Sequence, residues 1–336
     1  MKKFTFIILC LEGALLSFNV AAAAALIPSV AKEFALSQFS VGAIVWSYMV
    51  TYGLAALLYG PLVRKFDART VELICIILFS FANLIVGFAK GFLVLLSGRL
   101  LMGFFGASVI PLGLILIARH KAQEERGKYI GTFFGLTFIA SLLGLFLSGV
   151  IYWRFIFLIP GTLGFILWAL MYFCLPSFKE DMGVFEFNYF SIFKDKGIVR
   201  ILSYIFLISL IYHAIQQWLG VYFSTQIGLD QFKISMLITL TALSGIFGEI
   251  WGGLLADSLG RKKIINWGIL LMIFSIIFLV LKPPLWFLAL TMIIWGLGWT
   301  FNHVGLATML TDLPPDALNE AASLNSSIRF ISGGLG

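Results

Sequence analysis

The chain has 336 residues, 60% hydrophobic and only 12% charged, with a mean hydropathy of +1.02; soluble domains run at about 45–50% apolar and 25% charged, so an ordinary water-soluble fold is excluded. The formal net charge of +7 comes from short basic clusters between hydrophobic stretches. It lacks the basic and aromatic interleaving of a nucleic-acid surface and marks membrane topology, not a nucleic-acid partner. Cys10, Cys75 and Cys174 lie inside apolar segments without metal-like spacing, which argues against a disulfide framework or a zinc site.

The first predicted element covers residues 5–29. Met1-Lys2-Lys3, an apolar run and Ala21 to Ala25 have the outline of a secretory signal. Glu12, however, interrupts the run, which also exceeds the roughly 7–15 residues of a signal core, so it reads as a retained transmembrane helix. Further runs of about 20 apolar residues, enough to cross a hydrocarbon core of about 30 Å, predict helices over 41–63, 70–89, 92–118, 129–151, 155–175, 200–223, 234–256, 264–281 and 286–310. Gly, Pro and charged residues punctuate them, as in Gly60-Pro61 and Lys282-Pro283-Pro284. An eleventh helix begins near Ala317 and meets Gly336 before it is complete.

The polar segment 176–199 reads as a linker between a half at 1–175 and a second half at 200–336. An offset of 193 residues pairs Gly60 with Gly253, Gly103 with Gly296 and Arg126 with Asn319. These landmarks predict an all-α membrane protein of two six-helix halves in parallel repeat, with the second half truncated in helix 11 and helix 12 missing. A chain so truncated is expected to transport poorly alone. With the N-terminus inside, sixteen Lys and Arg fall on cytoplasmic segments and five on outer loops, which predicts a multi-pass protein of the cytoplasmic (inner) membrane with a cytoplasmic N-terminus.

After the eighth helix the chain runs Gly253-Leu254-Leu255-Ala256-Asp257-Ser258-Leu259-Gly260-Arg261-Lys262-Lys263. This G-x-x-x-D-x-x-G-R-K pattern resembles the loop signature of the major facilitator superfamily. The first-half loop keeps Gly60 and the basic Arg64, Lys65 and Arg69, but puts Arg64 where the acid usually stands and Asp67 where a Gly stands. Arg99-x-x-x-Gly103-x-x-Gly106-Ala107 and Glu125-Arg126-Gly127-Lys128 also resemble family features. Gly135, Gly144 to Gly149 and Trp153-Arg154-Phe155 are similar to the antiporter motif of drug:proton exporters, with Leu145 and Ser148 in place of its usual Pro and Gly. Trp46, Tyr48 and Tyr52 are similar to drug-exporter spacing, although transmembrane aromatics commonly serve packing. The resemblance implies two halves rocking about a central cavity, with Gly60, Arg64, Lys65, Gly253, Asp257, Gly260 and Arg261 as a cytoplasmic gate.

Ionisable groups at bilayer depth are costly and point to function. Glu12, Arg99 and Glu249 are therefore candidate proton-coupling residues, with Glu12 and Arg99 expected to pair across helices 1 and 4. Their structural alternatives are a satisfied packing acid and an arginine that pins helices together. Ser209, His213 and Gln217 recur every four residues beside Gln216, a polar stripe expected to face the bundle interior. With Asn19, Asn302 and His303 they form the candidate substrate cavity. No enzyme motif or phosphate-cradling loop is found and no cofactor is implied, which leaves a gradient as the energy source. The expected function is proton-coupled export of small amphipathic compounds, with a small-molecule substrate, protons and the lipid bilayer as partners and the oligomeric state left open. The alternatives are nutrient uptake by symport and a non-transporting scaffold, receptor or inactive fragment.

Overall fold

In a computed structural model, residues 3–120, 123–175, 177, 193–311 and 315–336 are described. The first half runs α1 (Lys3–Ser17), α2 (Ala22–Ala25), α3 (Ile27–Phe34), α4 (Gln38–Val41), α5 (Ala43–Lys65), α6 (Ala68–Gly87), α7 (Phe92–Gly106), α8 (Val109–His120), α9 (Gln123–Ser148) and α10 (Phe155–Cys174). The second runs α11 (Lys196–Gln216), α12 (Leu219–Tyr222), a π-helical turn (Phe223–Ile227), α13 (Gln231–Leu259), α14 (Arg261–Val280), α15 (Leu285–Thr311) and α16 (Pro315–Leu335). Nine helical runs among the described residues are long and apolar enough to span a membrane, where intrahelical bonding satisfies the backbone without water.

The repeat anticipated from three landmarks is present in the helix starts. Lys3 and Lys196, Gln38 and Gln231, Ala68 and Arg261, and Phe92 and Leu285 are each 193 residues apart. Equivalent caps precede two of them: the Ser37 side chain accepts from Ser40 N at 3.0 Å, and Asp230 accepts from Lys233 N at 2.9 Å. Gly103 of α7 lies against the Tyr48 carbonyl of α5, and Gly296 of α15 against the Thr241 carbonyl of α13. These are the same contact in the two halves, and at each a Cβ would collide with the facing backbone oxygen.

Three elements predicted as single helices are broken, the one over 200–223 at Gln217 and Trp218 between α11 and α12. The run expected over 5–29 turns at Phe18 to Ala21 and resumes through α2 and α3, with Pro28 in the first turn of α3. The run expected over 92–118 breaks at Ala107 and Ser108, where Pro111 has no N–H to offer the Ala107 carbonyl.

The halves meet along α5 with α16 and α9 with α13. Tyr52 stacks on Phe330 with centroids 4.0 Å apart, and the Ser327 hydroxyl donates to the Gly53 carbonyl at 2.6 Å. Towards the α3 end the Ser29 hydroxyl donates to Gln231 Oε1 at 2.8 Å, Gln231 Nε2 donates to the Ala25 carbonyl at 2.9 Å, and the Ser148 and Ser235 hydroxyls are 3.0 Å apart. Phe39 stacks on Trp218 at 5.6 Å at the same end.

Candidate functional site

Between the halves lies a cavity of about 300 Å³, lined by Met49 of α5, Phe138 and Ser141 of α9, Tyr212 and His213 of α11, Thr241, Gly245 and Glu249 of α13, Trp299, Thr300 and His303 of α15, and Arg329 and Phe330 of α16. Tyr212 and Trp299 stack face to face, centroids 3.9 Å and planes 12° apart, and Trp295 continues the stack at 5.2 Å from Tyr212. Trp295 is held there because its Nε1 donates to Gln216 Oε1 at 2.8 Å. His303 Nδ1 meets Glu249 Oε1 at 2.7 Å. His213 Nδ1 donates to the Ser209 carbonyl at 2.7 Å, which leaves Nε2 as its nitrogen for the cavity.

The structure brings together only part of the residue set chosen from sequence. Glu249, His213 and His303 share the cavity; the others are directed elsewhere, and each has a partner or position that accounts for it. Asn19 Nδ2 donates to Asn83 Oδ1 at 2.6 Å inside the first half. Asn302 Nδ2 donates to the Gly298 carbonyl at 2.8 Å, against Gly268 of α14. Gln216 anchors Trp295, and Gln217 reaches Met49 Sδ and the Gly333 carbonyl, clasping α11 to α5 and α16. Ser209 is buried outside the lining, where it supplies the backbone carbonyl to His213.

The expected Glu12–Arg99 pair is not formed. Arg99, with no exposed surface, donates its Nε to the Ile44 carbonyl at 2.7 Å and sits 4.5 Å from the Tyr48 ring centroid and 5.7 Å from that of Phe157. It thus pins α7 to α5 and α10 through a carbonyl and two aromatic faces, the arrangement of a structural arginine. Glu12 of α1 instead meets Glu72 of α6, carboxyl to carboxyl. Both are buried, and no donor among the described residues bonds their oxygens. The nearby Ser108 hydroxyl is already donated to the Phe105 carbonyl at 3.0 Å. Two such carboxyls hydrogen-bond only with a proton between them.

At the proposed gate, Gly60 and the side chains of Arg64 and Asp257 lie outside the residues whose surroundings are described. Lys65 lies 5.7 Å from the Phe66 ring, and Gly253 is open apart from Val304. Gly260 ends α13 at φ 95°, a conformation suited to glycine. Arg261, Lys262 and Lys263 line a cleft with Met309.

Sequence reasoning missed Glu72, Arg329 and the Tyr212–Trp299 stack as site residues. Glu72 carried a signal, an acid within the apolar run expected over 70–89, and the structure buries it in a helix that starts at Ala68.

A sequence model of the Major Facilitator Superfamily matches residues 9–336. A purine ribonucleoside efflux pump of Salmonella paratyphi B is 22% identical over 309 residues, covering 90% of this chain and 77% of the pump. A probable sugar efflux transporter of Helicobacter pylori is 24% identical over 327 residues, covering 93% and 81%. Among solved structures, an inward-facing, unoccupied bacterial homologue of the human lysosomal transporter Spinster superposes with a TM-score of 0.78 at 16% identity, covering all of this chain and 81% of the homologue.

Proposed function

Because the chain belongs to the Major Facilitator Superfamily, and is thus a multi-pass membrane transporter and not an enzyme, we propose that it is a proton-coupled exporter of small amphipathic compounds working by alternating access. The observation that carries this reading is the cavity between the halves, where the aromatic Tyr212–Trp299 stack lies beside the Glu249–His303 pair. The stack suits a flat apolar body, and the acid–imidazole pair suits a transferable proton. Two relatives named as efflux proteins support the outward direction.

Glu12 and Glu72 serve in this reading as a second proton site, in the first half and away from the cavity. The basic clusters support a cytoplasmic N-terminus in the inner membrane. The same orientation makes 176–199 a cytoplasmic linker between the halves and puts the Gly253 to Arg261 loop, with Gly60, Arg64 and Lys65, at the inner gate.

The test is flux in proteoliposomes under an imposed pH gradient, screened over purine nucleosides, sugars and amphipathic amines and acids. Accumulation against the substrate gradient, in the sense opposite to proton movement, is expected. Co-directional movement would replace export with uptake symport, and absence of counterflow for every compound would replace transport with a scaffold role.

A further inference from the structure

We propose that the cavity between the halves is a monocarboxylate site, in which Arg329 holds the carboxylate and the Tyr212–Trp299 stack receives a flat apolar body. This deepens the transport reading and rests on it for the cavity's purpose, but not for direction or proton coupling.

Arg329 stands on α16 with 9% of its surface exposed and lines the cavity. Its Nε donates to Asn325 Oδ1 at 2.8 Å, which fixes the plane of the guanidinium. Nη1 and Nη2 are both buried and find no acceptor among the described residues. Leaving charged donors unmade inside a bundle is costly, and the terminal nitrogens present the forked geometry that matches the two oxygens of a carboxylate.

The neighbouring groups narrow the ligand. Glu249 is near enough to act on Arg329 electrostatically, but its Oε1 is engaged by His303 at 2.7 Å. Arg329 lies 5.8 Å from the Trp299 ring centroid, and Trp299 is stacked on Tyr212. The anion-binding end and the apolar face are therefore contiguous, within a volume of about 300 Å³ that suits a small molecule. Among the described residues Arg329 is the only arginine or lysine in the lining, and Glu249 opposes further negative charge. A single negative charge fits; a phosphate dianion would meet Glu249 without a second cation, and an ammonium would meet the guanidinium.

The experiment measures calorimetric binding of four probes to the purified full chain in detergent: phenylacetate, its neutral isostere phenylacetamide, phenethylammonium and phenyl phosphate. Phenylacetate is expected to bind tightest, by about tenfold or more over the amide, the scale of one charge-assisted hydrogen-bond pair. Arg329→Gln should bring the acid-to-amide ratio near one, while Arg329→Lys, which keeps the charge but loses the fork, should lower that ratio several-fold without abolishing it. Size-exclusion profiles and thermal midpoints verify that both variants are folded; if Arg329→Gln does not fold, the Arg329→Lys ratio decides. An unchanged ratio in the deciding variant, tighter binding of the amide, ammonium or phosphate, or no binding of phenylacetate overturns the proposal. A normal acid preference without flux in proteoliposomes would instead remove the transport reading and leave this site standing, whereas flux without an acid preference would remove this site alone.

Discussion

The Glu12–Glu72 pair of the first half and the Glu249–His303 pair of the second each put an acid inside a helix bundle, in opposite surroundings. The first is sealed, with two carboxyls facing each other and neither exposed. The second borders the cavity, with side chains 29% and 34% exposed and an aromatic stack alongside. The scaffold around them is shared, down to the glycine–carbonyl contacts of Gly103 and Gly296. The charges are not. The positions 193 residues after Glu12 and Glu72 hold Ile205 and Ile265, and those 193 residues before Glu249, His303 and Arg329 hold Ala56, Ile110 and Leu136. Packing is repeated and chemistry is divided, so the halves can be disabled separately.

Breaking the shared part should have the largest effect. Gly103→Val and Gly296→Val each drive a side chain into a facing carbonyl and should cost about 1–3 kcal/mol or more, as overpacking does. The expected result is a similar loss of monodisperse protein and a lower thermal midpoint for both. A loss confined to one variant would mean that the two contacts are not equivalent.

Breaking the cavity alone should come next. Glu249→Gln removes the carboxylate facing His303 and is expected to lower gradient-driven flux by about tenfold; unchanged driven flux in a folded variant would take that acid out of the coupling. Normal exchange in a folded Glu249→Gln protein would separate that acid from the substrate step.

The smallest effect sharpens the rim of the first half at its α3 end. Tyr152 Oη and Arg154 Nη2 donate to Glu33 at 2.7 Å and 2.6 Å, and Arg154 Nη1 reaches the Gly87 and Ala89 carbonyls. Partial burial acts upward on the Glu33 carboxyl, but the bonds from Tyr152, Arg154 and Trp153 together with the Arg154 charge outweigh it and hold its pKa below the ordinary value of 4.5. A depressed carboxylate stabilises the fold above its unfolded pKa, and that contribution fades as pH falls through the lower folded value. The thermal midpoint should therefore fall on acidification below about 4.3, by more in the wild type than in Glu33→Gln. Equal acid sensitivity in both would show that this knot adds no pH-dependent stability.

The fold was legible because its signals are local or periodic. Apolar run length located the spans, and the offset seen in Gly60 and Gly253 was the offset of the helix starts. The breaks at Phe18 to Ala21 and at Ala107 were missed because apolar runs do not report turns, although Pro28 and Pro111 stood close by. The site was less legible because polarity on a helix does not say which neighbour satisfies it. Gln216 and Gln217 were chosen with His213 on α11, yet one is engaged by Trp295 and the other by Met49 and Gly333. Depth along the helices placed Glu12 and Arg99 at compatible heights, but facing direction decided their partners, and those are Glu72 and the Ile44 carbonyl.

The division of labour rests on the sealed carboxyls being a proton site and not a substrate site. Its most direct test compares pH-gradient-driven flux with energy-independent exchange, for the substrate found in the flux screen, in Glu12→Gln and Glu72→Gln proteins reconstituted at equal abundance. Each substitution should abolish the driven flux and leave exchange near the wild-type rate, since either one replaces a sealed carboxyl without touching the cavity. Normal gradient-driven flux in both variants would contradict that division.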